Sequence, residues 1–446
     1  MKTIDNSEQS VLVIGMGVTG VSCARYFAAR GIAVQFADSR EQPPGLDEVR
    51  QLCPQAEIFA GALPEELPSG VVQVVVSPGV RVPEALLAQA RSNSVSVVSD
   101  IDLYLMEEMS SVLLVTGSNG KSTVTSLVNH ILNAAGRQSV AGGNLGIAAL
   151  DLLDEPHDVA VLELSSFQLE RSQPPHSAVA AVLNLAVDHI DQHGSFTAYR
   201  DAKARIYENC ELALVNRDEP ELAAMVPAGK PTISFGIGQP REGEWGVAGG
   251  QVMFGNEPVM PVSGIPLVGR HNLANVLAAC AIAQASGVPR SVMAAAVSSF
   301  AALEHRMQLV PTDDGIVWIN DSKATNEAAA AASVDSVSDP LILIAGGDGK
   351  GSDFAMLAEA LLGRDACALI YGQDAVEIQA VLAPVCAVSR VADLEAAVKD
   401  AGAIAKPGCT VLLAPACSSL DMFRNFAERG ERFVAAVNSL GGGSGS

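Results

Sequence analysis

The stretch SVLLVTGSNGKST, residues 111–123, decides how the chain is read. Ser111–Gly117 is apolar and β-branched, which predicts a buried parallel strand. Gly117, Ser118, Asn119 and Gly120 then allow a tight turn, and Lys121, Ser122 and Thr123 open a helix expected to run to about residue 135. A strand that turns through glycines into a helix leaves several backbone N–H groups aimed at one point, which is a cradle for phosphate oxygens. In such a loop Lys121 reaches the β and γ oxygens, and Ser122 or Thr123 can ligate Mg²⁺. The general phosphate-loop pattern has a glycine where this chain has Val115, so the strand-loop-helix context carries the reading.

Working outward, short β-branched runs alternate with helical stretches along most of the chain. VLVIG (Val11–Gly15), AVQFAD (Ala33–Asp38) and VVQVVVS (Val71–Ser77) read as parallel strands of a first, Rossmann-like α/β domain over residues 1–99. A central α/β domain of phosphate-loop ATPase type is expected over 100–302, with short antiparallel strands between Pro231 and Pro266 and an alanine-rich helix over His271–Ser286. IVWIND (Ile316–Asp321), LILIAGG (Leu341–Gly347), CALIYG (Cys367–Gly372) and TVLLAPA (Thr410–Ala416) predict a third, Rossmann-like domain over 303–440. Linkers are expected near 97–110 and 298–305, and the glycine-serine composition of 441–446 predicts a flexible tail.

Length and charge exclude some classes. With 446 residues, 49% of them apolar and 17% charged, the chain is a globular α/β protein of several domains. A formal charge of −22 opposes non-specific binding to nucleic acid or anionic membranes, so no nucleic-acid partner is expected. An anionic substrate then requires a local concentration of Lys and Arg. No run of about 18 apolar residues predicts a membrane span, and eight scattered cysteines without a C-x-x-C pair suggest free thiols; a cytoplasmic protein is expected.

A second glycine loop competes for attention. Gly15-Met16-Gly17-Val18-Thr19-Gly20 is G-x-G-x-x-G between a strand and a helix, with Asp38 ending the next strand. By itself this admits three readings: a dinucleotide, another nucleotide diphosphate, or a purely structural turn. Ser77-Pro78-Gly79 should lie at the same sheet edge. A nicotinamide-dependent oxidoreductase is the rival this loop suggests, but nothing later in the chain resembles hydride-transfer machinery.

Several later residues carry possible chemistry. Glu163, after a strand in LELSSFQLE, stands where a phosphate loop's Mg²⁺ ligand belongs. Asn144, in GGNLG, is either a phosphate or substrate contact or a turn asparagine. In NLAVDHIDQHGS, Asp188, His189, Asp191 and His193 follow a strand; the cluster is either a satisfied His–Asp loop pair or a second metal site, with His189 the ligand and His193 a solvated loop residue. Lys203, in YRDAKARIYE, is on general chemistry a phosphate contact or a salt-bridged helix lysine. Asn272 and Asn275, in GRHNLAN, share one face at a helix start and suit a nucleotide or simple capping. In the third domain, EHRM (304–307), NDSKATN (320–326), GGDGKGSDF (346–354) and CSSLDMFRNF (417–426) supply lysines and hydroxyls at strand ends. Two lysines with hydroxyls suit a substrate bearing two carboxylates.

TGSNGKST and GRHNLAN resemble the Mur ligase superfamily, whose version of the loop also lacks the first glycine; the folylpolyglutamate synthetases share it. ELSSFQL, GGDGKGSDF and SSLDMFRNFAERG are similar to its D-glutamate-adding branch, and the likeness runs from Gly15 to Phe426. The resemblance implies an ATP- and Mg²⁺-dependent amide ligase of peptidoglycan synthesis, acting through an acyl phosphate. Its partners would be UDP-N-acetylmuramoyl-L-alanine and D-glutamate, and the protein would be a monomer. It implies that Val18, Thr19, Asp38, Ser39, Arg40, Ser77, Pro78, Gly79 and Asn144 bind the UDP substrate. ATP would meet Gly117, Ser118, Asn119, Gly120, Lys121, Ser122, Thr123, Asn272, His305, Arg306 and Asp321. D-Glutamate would meet Lys323, Thr325, Lys350, Ser419, Leu420 and Phe426. Metal would be held by Ser122, Glu163, His189 and a carbamylated Lys203, and catalysis carried by Lys121, Glu163, His189, Lys203 and Arg306. Another Mur-type or folylpolyglutamate-type ligase is the alternative within the same chemistry.

Overall fold

The structure, a computed structural model, describes residues 9–441 except 189 and 268. His189 and residues 442–446 of the expected tail therefore lie outside the described residues.

The first sheet is built from β1 (Ser10–Ile14), β2 (Val34–Asp38), β3 (Ile58–Ala60), β4 (Val71–Val76) and β5 (Ser96–Val98), in the order β3-β2-β1-β4-β5 with every pair parallel. Val11, Leu12, Val13 and Ile14 are fully buried, as a strand covered on both faces requires. Strand order reverses between β1 and β4. Their carboxyl ends, which lead into Gly15 and Ser77, therefore flank a crevice of the kind that binds ligands in doubly wound sheets.

The second sheet holds β6 (Ser111–Thr116), β7 (Ser139–Gly143), β8 (Val159–Glu163), β9 (His176–Val182), β10 (Asn209–Asn216), β11 (Thr232–Phe235), β12 (Trp245–Ala248), β13 (Gln251–Phe254) and β14 (Glu257–Pro261). Its order is β14-β13-β12-β11-β10-β9-β6-β8-β7. The expectation of antiparallel strands over 231–266 needs correction: β11 and β12 extend the parallel run. Antiparallel pairing enters at β12–β13, where Gly249 and Gly250, at φ +57° and +75°, provide the left-handed pair that a two-residue hairpin demands.

The third sheet contains β15 (Gln308–Val310), β16 (Val317–Asn320), β17 (Leu341–Gly346), β18 (Ala366–Tyr371), β19 (Ala387–Arg390) and β20 (Thr410–Leu413) in the order β15-β16-β20-β17-β18-β19, parallel except at β15. The protein is thus a three-domain α/β fold built on parallel sheets.

The chain divides into two compact units, one of Met1–Leu185, His189–Val259 and Val276–Ala296, the other of Ala186–Asp188, Met260–Asn275 and Val297–Ser446. Inside the first unit, helix Val18–Ala29 is fastened to the 3-10 helix Ala149–Asp154. Ser22 Oγ and Arg25 Nε donate to Asp151 Oδ1 at 2.9 and 3.1 Å, and Arg25 Nη2 donates to Oδ2 at 2.7 Å. A second correction falls here. Residues 97–110 are no open linker, because helix Asp100–Glu107 occupies them with Asp100 to Tyr104 buried. Ser99 and Asp102 close a capping box, Ser99 N donating to Asp102 Oδ2 at 2.8 Å and Asp102 N to Ser99 Oγ at 3.1 Å.

Gly20 owes its place to close packing: a Cβ there would stand 2.1 Å from Gly15 O. Gly20→Ala is expected to lower stability by about 1–3 kcal/mol, as overpacking does. The control Gly17→Ala, which meets nothing within 4 Å, should change it by less than about 1 kcal/mol. Thermal unfolding of the two variants checks this; equal melting temperatures would refute the close approach.

Candidate functional site

In the first unit β6 runs into the phosphate loop, and Gly120, at φ +81°, turns the chain into helix Lys121–Ala134. Lys121 folds back over the loop, its Nζ donating to Gly117 O and Ser118 O at 2.8 Å each. Lys203, only 1% exposed, approaches from helix Phe196–Ala204 and donates to the same Gly117 O at 2.9 Å and to Thr116 Oγ1 at 3.4 Å. Its ammonium lies 4.7 Å from the centre of the Tyr199 ring, and the Tyr199 hydroxyl shares a 2.8 Å hydrogen bond with Ser118 Oγ. Asn184, just past β9, braces the loop twice: Asn119 N donates to its Oδ1 at 2.8 Å, and its Nδ2 donates to Asn119 O at 3.0 Å. Thr123 is buried in the first helical turn.

Glu163 is the last residue of β8 and is 2% exposed. Ser122 Oγ donates to its Oε2 at 2.6 Å and Asn144 Nδ2 to its Oε1 at 2.6 Å. A hydroxyl and a carboxylate touching at the mouth of a phosphate loop fit a small hard cation that keeps most of its water and takes one or two protein oxygens. Among the described residues no group of three or more His, Cys, Asp or Glu forms a cage, and that donor set does not call for one. The amide of Asn144, expected on substrate, is engaged with Glu163.

His193 is not solvated, contrary to expectation. Its side chain is 1% exposed, stacks on Phe167 with ring centroids 4.9 Å apart, and shares a 2.9 Å hydrogen bond with Ser166 Oγ. Glu170 Oε2 lies 3.7 Å from His193 Nδ1, completing a serine-histidine-carboxylate order. Ser166 is only 3% exposed, so its hydroxyl presents almost no surface to an acyl donor.

At the first sheet's crevice the two loops meet. Gly15 is at φ +103°, and a Cβ there would come 2.7 Å from Ser77 Oγ, which itself donates to Gly15 O at 3.3 Å. Asp38 is turned inward: Met16 N donates to Oδ2 at 2.8 Å, and Arg40 Nη2 and Nε donate to Oδ2 and Oδ1 at 2.7 and 2.9 Å. Burial opposes ionisation of Asp38, but Arg40 and the N–H groups of Met16 and Arg40 outweigh it and hold the carboxyl at about 2. Asp38 thus shapes the loop, while Val18, Ser39, Arg40 and Gly79 form its exposed rim; Thr19 and Pro78 are half-buried.

In the second unit the third sheet gathers the remaining candidates at its strand ends. Asn320, the last residue of β16, donates through Nδ2 to His305 Nδ1 at 3.0 Å and Gly430 O at 3.1 Å. Asp321 is buried, with Met307 N donating to Oδ1 at 3.1 Å and Ser333 Oγ bonded to Oδ2. Burial raises its pKa despite those bonds and the nearby Arg306, and burial likewise lowers that of His305. Lys323 Nζ stands 4.1 Å from the Phe426 ring centre, and Thr325 N donates to Lys323 O at 2.7 Å. Loops after β17 and β20 are bridged by Asp348 and Ser418, so Lys350 and Ser419 share one edge; Ser419 is buried, Lys350 exposed, and the Leu420 side chain points outward at 70% exposure. Asn275 Nδ2 donates to Asn272 Oδ1 at 3.1 Å, so the two amides hold each other at the start of helix Arg270–Ala285.

Sequence reading passed over Asn184, Tyr199, Asn320 and Arg429. Only Tyr199 carried a usable signal, as an aromatic four residues before Lys203 on one helix.

A doubly wound first domain, a phosphate-loop second domain and a third parallel sheet lined with lysines define the class of the Mur ligases. The sequence matches the family descriptions "Mur ligase MurD-like, N-terminal domain" over residues 9–99, "Mur ligase middle domain" over 115–283 and "Mur ligase, glutamate ligase domain" over 305–417. A UDP-N-acetylmuramoylalanine–D-glutamate ligase of Nitrosococcus oceani is 41% identical over 436 residues, spanning 96% of each chain. Among solved structures, UDP-N-acetylmuramate-alanine ligase MurC of Thermotoga maritima superposes with a TM-score of 0.63 at 18% identity, covering 97% of this chain and 99% of its own. The MurF ligase of the same organism, solved with ADP, gives 0.60 at 17% identity over 91% and 94%. The chain belongs to the family of UDP-N-acetylmuramoylalanine–D-glutamate ligases.

Asn144→Ala removes one donor to a buried carboxylate and is expected to cost roughly 1–2 kcal/mol at neutral pH. A variant that melts with the parent would detach Asn144 from Glu163.

Proposed function

We propose that the protein joins D-glutamate to UDP-N-acetylmuramoyl-L-alanine at the expense of ATP, as a cytoplasmic, monomeric enzyme of peptidoglycan precursor synthesis. The observation that carries this reading is the full-length similarity to D-glutamate ligases, together with the phosphate loop and its Ser122–Glu163 pair. A likeness in fold to a ligase solved with ADP supports nucleotide binding at that loop. Residues 1–99, 100–302 and 303–440 would serve as the UDP-substrate, ATP and amino-acid domains.

Residues would divide the work as follows. The rim of Val18, Thr19, Ser39 and Arg40, with Ser77, Pro78 and Gly79, grips the UDP moiety, and Asp38 keeps that rim in shape. Backbone N–H groups of 117–123 and the Lys121 ammonium take the phosphates, joined by Arg306. Asn272, His305 and Asp321 attend the nucleoside side. Ser122 and Glu163 would hold Mg²⁺, with His189 on a second ion; the metal would supply charge neutralisation at the phosphoryl oxygens. A carboxylate oxygen of the alanine attacks the γ-phosphorus, the bond to the bridging oxygen breaks, and ADP departs. The neutral amine of D-glutamate then adds to the acyl phosphate carbonyl, loses a proton, and phosphate leaves as the amide forms. Lys323 and Lys350 pair with the two carboxylates of D-glutamate, with Thr325, Ser419, Leu420 and Phe426 lining that place. No side chain need act as nucleophile.

Lys203 has a special part. Lys121 and Lys203 donate to one carbonyl, which keeps their nitrogens within about 6 Å, and two ammonium charges at that spacing repel by on the order of 3 kcal/mol at an effective dielectric of 20. Carbamylation would replace one of those charges with an anion able to assist a second metal.

Phosphate release from ATP should require both UDP-N-acetylmuramoyl-L-alanine and D-glutamate, and Lys121→Ala should reduce it to background. Turnover that persists without either acceptor would instead favour a simple ATPase. Lys203→Ala should lose most activity and regain part of it with added short carboxylates; complete absence of rescue would count against the carbamate.

A further inference from the structure

Arg429, three residues into helix Phe426–Gly441, has a guanidinium with no exposed surface at all. It forms no ion pair among the described residues. Its partners are main-chain carbonyls and one hydroxyl. Nε donates to Ser322 Oγ at 3.0 Å, Nη2 to Ser322 O at 2.9 Å, Nη1 to Cys417 O at 3.1 Å, and Nη1 more weakly to Gly346 O at 3.5 Å. The Tyr371 hydroxyl lies beside it, and the Asp421 carboxylate contributes only at longer range.

These carbonyls belong to three different loops, at the ends of β16, β17 and β20. Ser322 directly precedes Lys323, Gly346 opens the run to Lys350, and Cys417 lies two residues before Ser419. One rigid fork therefore fixes the peptide planes from which every third-domain loop residue assigned to the amino acid departs. A guanidinium suits this role because its planar donors are held in fixed directions and its charge is permanent. Burying a cation without a carboxylate partner is costly, which is hard to account for by loop bracing alone, since neutral donors would brace as well. The charge acts in surroundings that screen it little, bonded to Ser322, the residue just before Lys323.

We propose that Arg429 is a positioning residue for the incoming amino acid: it locks the Lys323, Lys350 and Ser419 loops in register and sets a buried positive charge behind them, favouring a dicarboxylate. This rests on the reading that those residues receive D-glutamate.

The experiment measures KM for D-glutamate and for ATP, with melting temperature, in the full-length wild type, Arg429→Lys and Arg429→Met. Arg429→Met should raise the D-glutamate KM by about tenfold or more, equivalent to a loss on the order of 1.4 kcal/mol, with ATP KM within about twofold. Arg429→Lys, which keeps charge but not the fork, should fall between. Equal shifts in both KM values, or none, in a folded variant overturn the proposal. If Arg429→Met does not fold, Arg429→Lys decides in the same way, and failure of both to fold overturns it by making the residue a structural one. The underlying reading fails separately, if wild type forms no product with D-glutamate; the KM of whichever amino acid it does use then tests Arg429.

Discussion

Two ammonium groups, those of Lys121 and Lys203, converge on the single carbonyl of Gly117, and the arrangement around the phosphate loop follows from making that possible. The carbonyl has to face inward at the end of β6, which takes a glycine loop and a left-handed Gly120 before the helix can start. Lys203 reaches it as a buried side chain from helix Phe196–Ala204, with the Tyr199 ring as a partner for its charge and Thr116 as a second acceptor. Asn184 then fixes Asn119 from just past the neighbouring strand β9, so the loop is preorganised before any ligand arrives. The Lys121 ammonium on a preformed backbone cradle favours a ligand with several anionic oxygens over one with a single charge.

Parallel strands explain why the chemistry collects where it does. The parallel strands of each sheet deliver their carboxyl ends to one edge, and the residues at or just past those ends are the ones singled out: Gly15 and Ser77 in the first sheet, Gly117 and Glu163 in the second, Asp321, Gly347 and Cys417 in the third. The third sheet carries strain as well. His305, Met307, Lys350 and Ala416 all have φ between +46° and +60°, a region that non-glycine residues avoid. All four are at or beside the loops that Asn320 and Arg429 hold, and buried hydrogen bonds of that kind are what allow such backbone to persist.

Legibility in the sequence tracked the distance over which each signal acts. The phosphate loop, Glu163 at a strand end and the glycine crevice of Gly15 were readable because a strand, a turn and a helix start are local events. The capping box of Ser99 and Asp102 was local too, and a reading of 97–110 as linker passed over it by attending to composition. His193 shows the other limit. Its neighbours in sequence are Asp, Gln, Gly and Ser, which suggest solvent, yet Phe167 and Ser166 come from a segment some 27 residues away and bury it. The Asn144 bond to Glu163 was hidden for the same reason, since it spans 19 residues. Arg429 was the least visible, because its partners lie up to 107 residues distant and it sits in a run of ordinary helix charges.

A net charge of −22 describes the outside of this molecule better than its sites. Surface carboxylates are spread through water and salt, where interactions beyond a Debye length of about 8–10 Å are largely screened. Arg429, by contrast, is 0% exposed, so its charge acts on its immediate surroundings with little screening. A buried cation can therefore outweigh many surface acids at short range. That resolves the conflict between an acidic chain and the anionic ligands its family implies. What decides the affinity of a site for an anion is not how many cations the sequence holds but how deeply the fold places them.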